Sequence, residues 1–215
     1  MISADQLYAA YAHGIFPMAD SRDDADLKWY DPDPRGVMPI DSFKIPSRLK
    51  RTVQQQIYTV SINQDFTGVM RACAAPAPGR EATWISEAII ALYSELHQQS
   101  RAHSIEVWQD KQMVGGLYGV SIGGAFCGES MFSTARDASK VALVHLMLRL
   151  KLRGYLLCDT QFTTPHLAQF GGHEIAREDY HQNLSEALKL NCQFADEADG
   201  SIDGNASLVL GALSG

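Results

Sequence analysis

Cysteine is scarce and scattered in this chain: the four residues stand at 73, 127, 158 and 192 without a Cys-x-x-Cys pair, and Cys127 and Cys158 fall inside strand-like apolar runs. Neither a disulfide frame nor a zinc site is indicated. His13, His97, His103, His145, His166, His173 and His181 show no metal-binding spacing such as His-Glu-x-x-His, so no metal is assigned. Long apolar runs are missing too: none reaches the roughly 18 residues a membrane span requires. Met1-Ile-Ser-Ala-Asp5 lacks the charged and apolar regions of a secretory leader, and a cytoplasmic protein is expected. Positive charge is in short supply, with 18 Lys and Arg against 25 Asp and Glu for a net charge of −7. The surface as a whole does not attract nucleic acid, and any RNA contact must be local.

What is present is an ordinary globular composition, 46% hydrophobic and 20% charged over 215 residues, which suits one domain with a small appendage. Ser3-Ala-Asp-Gln6 is a capping box that opens a short helix with Leu7, Ala10 and Tyr11 at helical spacing, and Gly14 ends it. An acidic loop over 20–26 leads to Trp29, Tyr30 and the stiff turn Asp31-Pro-Asp-Pro34, where a boundary is drawn. The expected division is a small N-terminal subdomain over 1–35, a catalytic domain over 36–195 and a flexible acidic tail over 196–215. Lys44, Arg48, Lys50 and Arg51 form a cationic cluster without a nearby acid. Tyr58–Ile62 reads as a strand, and helices follow near 65–75 and 86–99, the second with Ile89, Leu92, Tyr93 and Leu96 on one face. From Ile105 the pattern is an antiparallel meander: Ile105–Trp108, Met113–Ile122, a Gly123-Gly124 turn and Ala125–Phe132. Val141–Leu152 is apolar almost all round and must be a buried helix, after which Tyr155–Phe162 reads as a central strand. This order predicts an α/β fold of the GNAT-like acyltransferase type with a mixed, largely antiparallel sheet.

Strand alternation puts Asp159 and Gln161 on one face, where they can act on one ligand; the alternative is a structural Asp159 that caps the loop at Thr163-Thr-Pro165. Glu129 lies in an otherwise apolar or small-residue run, and two carboxylates on neighbouring strands frame a cleft. Phe126 and Glu129 cannot both line it without a bulge at Gly128. Phe16, Trp84, Phe126, Met131 and Leu143 are candidate apolar walls. The stretch Phe132–Lys140 before the buried helix contains no glycine, whereas a coenzyme A pyrophosphate needs a Gly-containing turn there. Arg136, Ser139 and Lys140 are left to hold a different phosphate-bearing donor.

His13-Gly-Ile-Phe-Pro17, Trp29-Tyr-Asp-Pro-Asp-Pro-Arg35, Thr83-Trp-Ile-Ser86, Ala102-His-Ser-Ile-Glu-Val-Trp108, Val114-Gly-Gly-Leu-Tyr-Gly119, Phe126-Cys-Gly-Glu-Ser-Met-Phe-Ser133, Ala138-Ser-Lys140 and Asp159-Thr-Gln161 occur in this order. Over residues 5–190 the chain thereby resembles the leucyl/phenylalanyl-tRNA-protein transferases, with the N-terminal subdomain shortened. The resemblance implies transfer of Leu or Phe, and less well Met, from aminoacyl-tRNA to an N-terminal Arg or Lys of a protein, marking it for N-end-rule degradation. It places the donor pocket and catalytic centre on Trp84, Phe126, Leu143, Glu129, Asp159 and Gln161. Met18 stands where the family often has Trp, and Leu117 replaces a common Met; both belong to the apolar pocket. Leucyl-tRNA and phenylalanyl-tRNA are the expected partners, held at Lys44, Arg48, Lys50 and Arg51, together with acceptor proteins; a monomer without a cofactor is expected. A coenzyme A-dependent N-acetyltransferase and a noncatalytic binder of N-terminal residues are the rival readings.

Overall fold

The computed structural model describes residues 2–19, 27–76, 83–195 and 211. Helix α1 (Ala4–Ala12) starts in the expected capping box: the Gln6 amide donates to Ser3 Oγ at 3.2 Å and the Ser3 amide to Gln6 Oε1 at 2.9 Å. It ends at Gly14, whose φ of +76° is left-handed; a Cβ there would sit 2.6 Å from the His181 ring. Strands β1 (Phe16–Met18) and β2 (Lys28–Tyr30) form a separate antiparallel ribbon. The acidic loop between them lies outside the described residues. Strand β3 (Arg35–Val37), too short to show a period in the sequence, is buried and joins the main sheet.

The cationic cluster carries a helix that charge alone did not reveal. In α2 (Ser47–Gln54), Leu49 and Val53 stand four apart and bury one stripe, which leaves Arg48, Lys50 and Arg51 exposed. Strand β4 (Thr59–Ile62) and helices α3 (Phe66–Ala74) and α4 (Glu87–Gln98) fall within the expected spans. Asp65 and Ser86 cap the two helices by accepting from Gly68 and Ile89 amides.

The meander is β5 (Ala102–Gln109), β6 (Gln112–Ile122) and β7 (Ala125–Ser133). Helix α5 (Ala138–Leu152) follows, buried along almost its whole circumference, then β8 (Leu157–Gln161), α6 (Pro165–Ala168), β9 (His173–Ile175) and α7 (Arg177–Ala187). The order in the main sheet is β4-β5-β6-β7-β8-β3-β9, and among these neighbours β7 and β8 are the parallel pair. The fold is thus α/β with a mixed, largely antiparallel sheet, and apolar clusters cover both faces. The tail over 196–215, apart from Gly211, lies outside the described residues.

Two local features open this sheet. The β7–β8 pairing runs from Ala125 opposite Leu157 to Cys127 opposite Asp159 and stops. Immediately beyond it, Gly119 faces Gly128 while Tyr118 faces Ser130, so Glu129 is the extra residue of a β-bulge. The bulge lies next to Gly128, with Glu129 as its unpaired residue. It bends β7 away from β8, and a gap forms beside the N-terminal turns of α5.

Candidate active site

The gap is a cavity of about 340 Å³. Met18 from the N-terminal ribbon, Trp84 before α4, Leu117 from β6, Met131 from β7 and Leu143 and Leu146 from α5 are among its apolar walls. Leu143 and Leu146 lie one turn apart and present a single helix face. Glu129, Asp159 and Gln161 also line the cavity, so the three polar candidates on two strands reach one space.

Phe126 does not. It is fully buried and stacked on Phe194 at 5.1 Å between centroids. The cause lies in packing: Phe126 belongs to the same apolar cluster as Leu117, Leu143 and Leu146, but its ring lies on Phe194 inside that cluster, while Leu117, Leu143, Leu146 and Met131 reach the cavity. Phe16 borders the cavity as expected.

The carboxylates differ in their surroundings. Asp159 is fully buried against a residue that sequence reasoning left unassigned, Arg35. Arg35 Nε donates to Asp159 Oδ1 at 2.9 Å and Nη2 to Oδ2 at 2.6 Å, a two-bond fork. Tyr180 of α7 donates to Oδ2 at 3.0 Å, and the Gln161 amide to Oδ1 at 2.9 Å. The guanidinium lies 4.8 Å from the Phe16 centroid and 4.1 Å from that of Tyr180, and Nη1 donates to Gly14 O at 2.8 Å. Burial alone would lower the Arg35 pKa, but the bonds and charge of Asp159 outweigh it, and the net shift is upward.

Glu129 sits where ionisation is contested. Tyr11 donates to its Oε1 at 2.7 Å, Tyr93 to Oε2 at 3.3 Å, and Gln161 Nε2 to Oε1 at 3.3 Å. Burial raises its pKa from the ordinary 4.5 to about 7, with the Asp159 charge adding to the rise and the tyrosine bonds opposing it. Burial and the nearby Glu129 carboxylate push both phenols well up, which keeps them donors. The missed residues Tyr11 and Tyr93 lie on α1 and α4, and only folding brings them to Glu129.

Cys158 lines the cavity, yet burial and then the Asp159 charge push its thiol pKa far up, as they do for Cys127. Neither supplies a thiolate nucleophile. Outside the cavity, Lys44, Arg48, Lys50 and Arg51 are exposed on and before α2. Arg48 reaches Asp137 at 3.8 Å, the residue before α5, which also pairs with Lys140 at 2.8 Å and Arg136 at 3.9 Å. The α2 cations and the α5 start therefore share one edge of the molecule. Among the described residues, no helix is long and apolar enough to cross a membrane.

An apolar slot that ends on paired carboxyl and amide groups, with no thiolate nucleophile beside it, suits an enzyme that passes an already activated acyl group directly to an amine. Residues 37–185 match the family described as leucyl/phenylalanyl-tRNA protein transferase, and residues 1–33 match its N-terminal domain. A leucyl/phenylalanyl-tRNA–protein transferase of Maricaulis maris is 55% identical over 201 residues, 92% of this chain and 93% of that one. One from Ruegeria sp. is 54% identical over 197 residues, 92% of each chain. A solved structure titled "The structure of L-PGS from Bacillus licheniformis" gives a TM-score of 0.41 at 14% identity over 76% of this chain and 55% of that one, a likeness too slight to carry an argument. The chain belongs to the leucyl/phenylalanyl-tRNA protein transferase family. Its reaction is transfer of Leu or Phe from aminoacyl-tRNA to the N-terminal Arg or Lys of proteins, which decides against the acetyltransferase and binder readings.

Proposed function

We propose that the cavity receives the Leu or Phe side chain of the donor, less well that of Met, and that Glu129, Gln161 and Asp159 serve the reacting end. The supporting observation is an apolar slot whose lining includes the hydrogen-bonded pair Gln161 and Glu129. An unbranched or γ-branched side chain enters such a slot, whereas Ile and Val crowd it at Cβ, a discrimination of about 1–3 kcal/mol.

The aminoacyl ester is already activated, so the enzyme must orient it, accept a proton from the attacking amine and tolerate the oxyanion. The acceptor nitrogen adds to the ester carbonyl, the bond to the ribose oxygen breaks, and the proton lost by the amine balances the one the ribose oxygen takes up. Asp159 is poorly placed to take that proton itself. Its two oxygens are each engaged twice, and the proposal is that Asp159 acts through Gln161 while Glu129 accepts the proton. A carboxyl near 7 is well matched to an α-amine with a pKa of about 8.

Lys44, Arg48, Lys50 and Arg51 are proposed to hold tRNA phosphates, a local contact compatible with a net charge of −7. The protein is proposed to work as a monomer in the cytoplasm, where aminoacyl-tRNA is made. The test is transfer of labelled Phe from tRNA to peptides beginning with Arg or with Met. Label on the Arg peptide alone, lost in Gln161→Ala and Glu129→Gln, is expected; full transfer by both variants refutes the assignment of the reacting end.

A further inference from the structure

We propose that Arg35 and Tyr180 are positioning residues of the transfer reaction, which act by clamping Asp159 so that Gln161 presents its side chain to the reacting groups. The inference rests on the reading of Gln161 given above.

Gln161 ends β8 with a φ of +57°, a left-handed backbone that a residue bearing a Cβ avoids unless its surroundings hold it there. Two features hold it. The first is the Asp159 Oδ1 bond to the Gln161 amide. The second is Gly36, opposite Gln161 in the sheet, where an added Cβ would stand 2.6 Å from the Phe162 carbonyl carbon. The missing side chain lets β3 lie against the turn that follows Gln161. With the backbone set, Gln161 Nε2 reaches Glu129 Oε1 at 3.3 Å across the mouth of the β7–β8 gap.

Oδ1 holds its aim only because the rest of the carboxylate is fixed. Arg35 is 1% exposed, takes both oxygens, and is itself wedged between the Phe16 and Tyr180 rings. Tyr180 adds a bond to Oδ2, and its hydroxyl also accepts from Arg35 Nη2 at 3.2 Å. The clamp draws on β3, β8 and α7, with Gly14 O closing it from the turn after α1. No atom of Arg35 or Tyr180 needs to touch the substrate for this effect.

Tyr180→Phe is the informative variant, because it keeps the ring under the guanidinium and removes only the hydroxyl. The expected result is a kcat about tenfold lower, with KM for phenylalanyl-tRNA within twofold of wild type. In a Gln161→Ala background, Tyr180→Phe should change kcat by less than twofold, since the residue it positions is already gone. Arg35→Lys, which keeps the charge and loses the fork, should show the same pattern if it folds. If Gln161→Ala slows transfer while Tyr180→Phe leaves kcat unchanged, or lowers it equally in both backgrounds, the positioning role is overturned and the reading of Gln161 stands. If Gln161→Ala itself transfers at the wild-type rate, that reading fails and the inference falls with it.

Discussion

Replacing Glu129 with Gln should make the protein more stable and less active, and the stability gain should depend on pH in a defined way. A carboxyl raised from 4.5 to about 7 holds its proton in the folded state where the unfolded chain has released it. Below pH 4.5 both states are protonated and nothing is lost. Between 4.5 and 7 the folded state binds more protons, so stability falls as pH rises; above 7 the full penalty remains. At about 1.4 kcal/mol per pH unit, the ionised form would carry roughly 3 kcal/mol. Glu129 keeps some contact with the cavity, and Gln loses part of the bonding from Tyr11 and Tyr93, so about 1–3 kcal/mol is expected at pH 8. For a chain of this size that corresponds to a rise in Tm of about 2–4 °C per kcal/mol. Urea unfolding of both proteins at pH 5 and pH 8 measures it: the midpoints should lie close together at pH 5 and separate at pH 8, with the variant higher. Transfer by Glu129→Gln should be about 100-fold slower near neutrality and recover partly above pH 8, where solvent takes the amine proton. Parallel stability curves for the two proteins would refute the reasoning, because Glu129 would then be as comfortable ionised as a surface carboxylate.

Asp159→Asn should lower the Tm and slow transfer at every pH without recovery in alkali, since it leaves Arg35 buried with half a partner; steady-state rates from pH 6 to 9 check it, and an alkaline recovery would make Asp159 the base in place of Glu129. Leu143→Ala enlarges the slot and should relax discrimination among Leu, Phe and bulkier donors more than it lowers the common rate; an equal loss across donors with a lower Tm would make Leu143 simple core. Lys50→Ala with Arg51→Ala should weaken binding of tRNA and flatten its salt dependence by about one counterion per cation removed; an unchanged slope would leave these exposed residues as a solvated helix face.

Much of the framework was legible because it repeats. The capping box of α1, the alternating strands of the meander and the all-apolar α5 each leave a local signature, and each element appears within a few residues of its expected place. Short elements left none. Strands β1, β2, β3 and β9 are three residues long, exist only because a neighbour pairs with them, and α2 was visible as charge although two buried aliphatics make it a helix.

The site divides along the same physical line. The sequence by itself determined which residue types could do the chemistry: two acids in apolar strands, a glutamine two residues after one of them, and a glycine-free turn where a pyrophosphate loop would lie. It also determined the family, because long motifs in order do not depend on coordinates. Only the tertiary structure decided what surrounds each of those residues. Arg35 meets Asp159 across 124 positions of chain, and Tyr11 meets Glu129 across 118, distances at which local patterns carry no information. That pairing makes one carboxylate a fixed ion-pair partner and leaves the other contested near neutrality. The bulge at Glu129 added to this, since a one-residue insertion shifts which of the residues after it share a face, and it brings Met131 beside Leu117 on the side of the cavity.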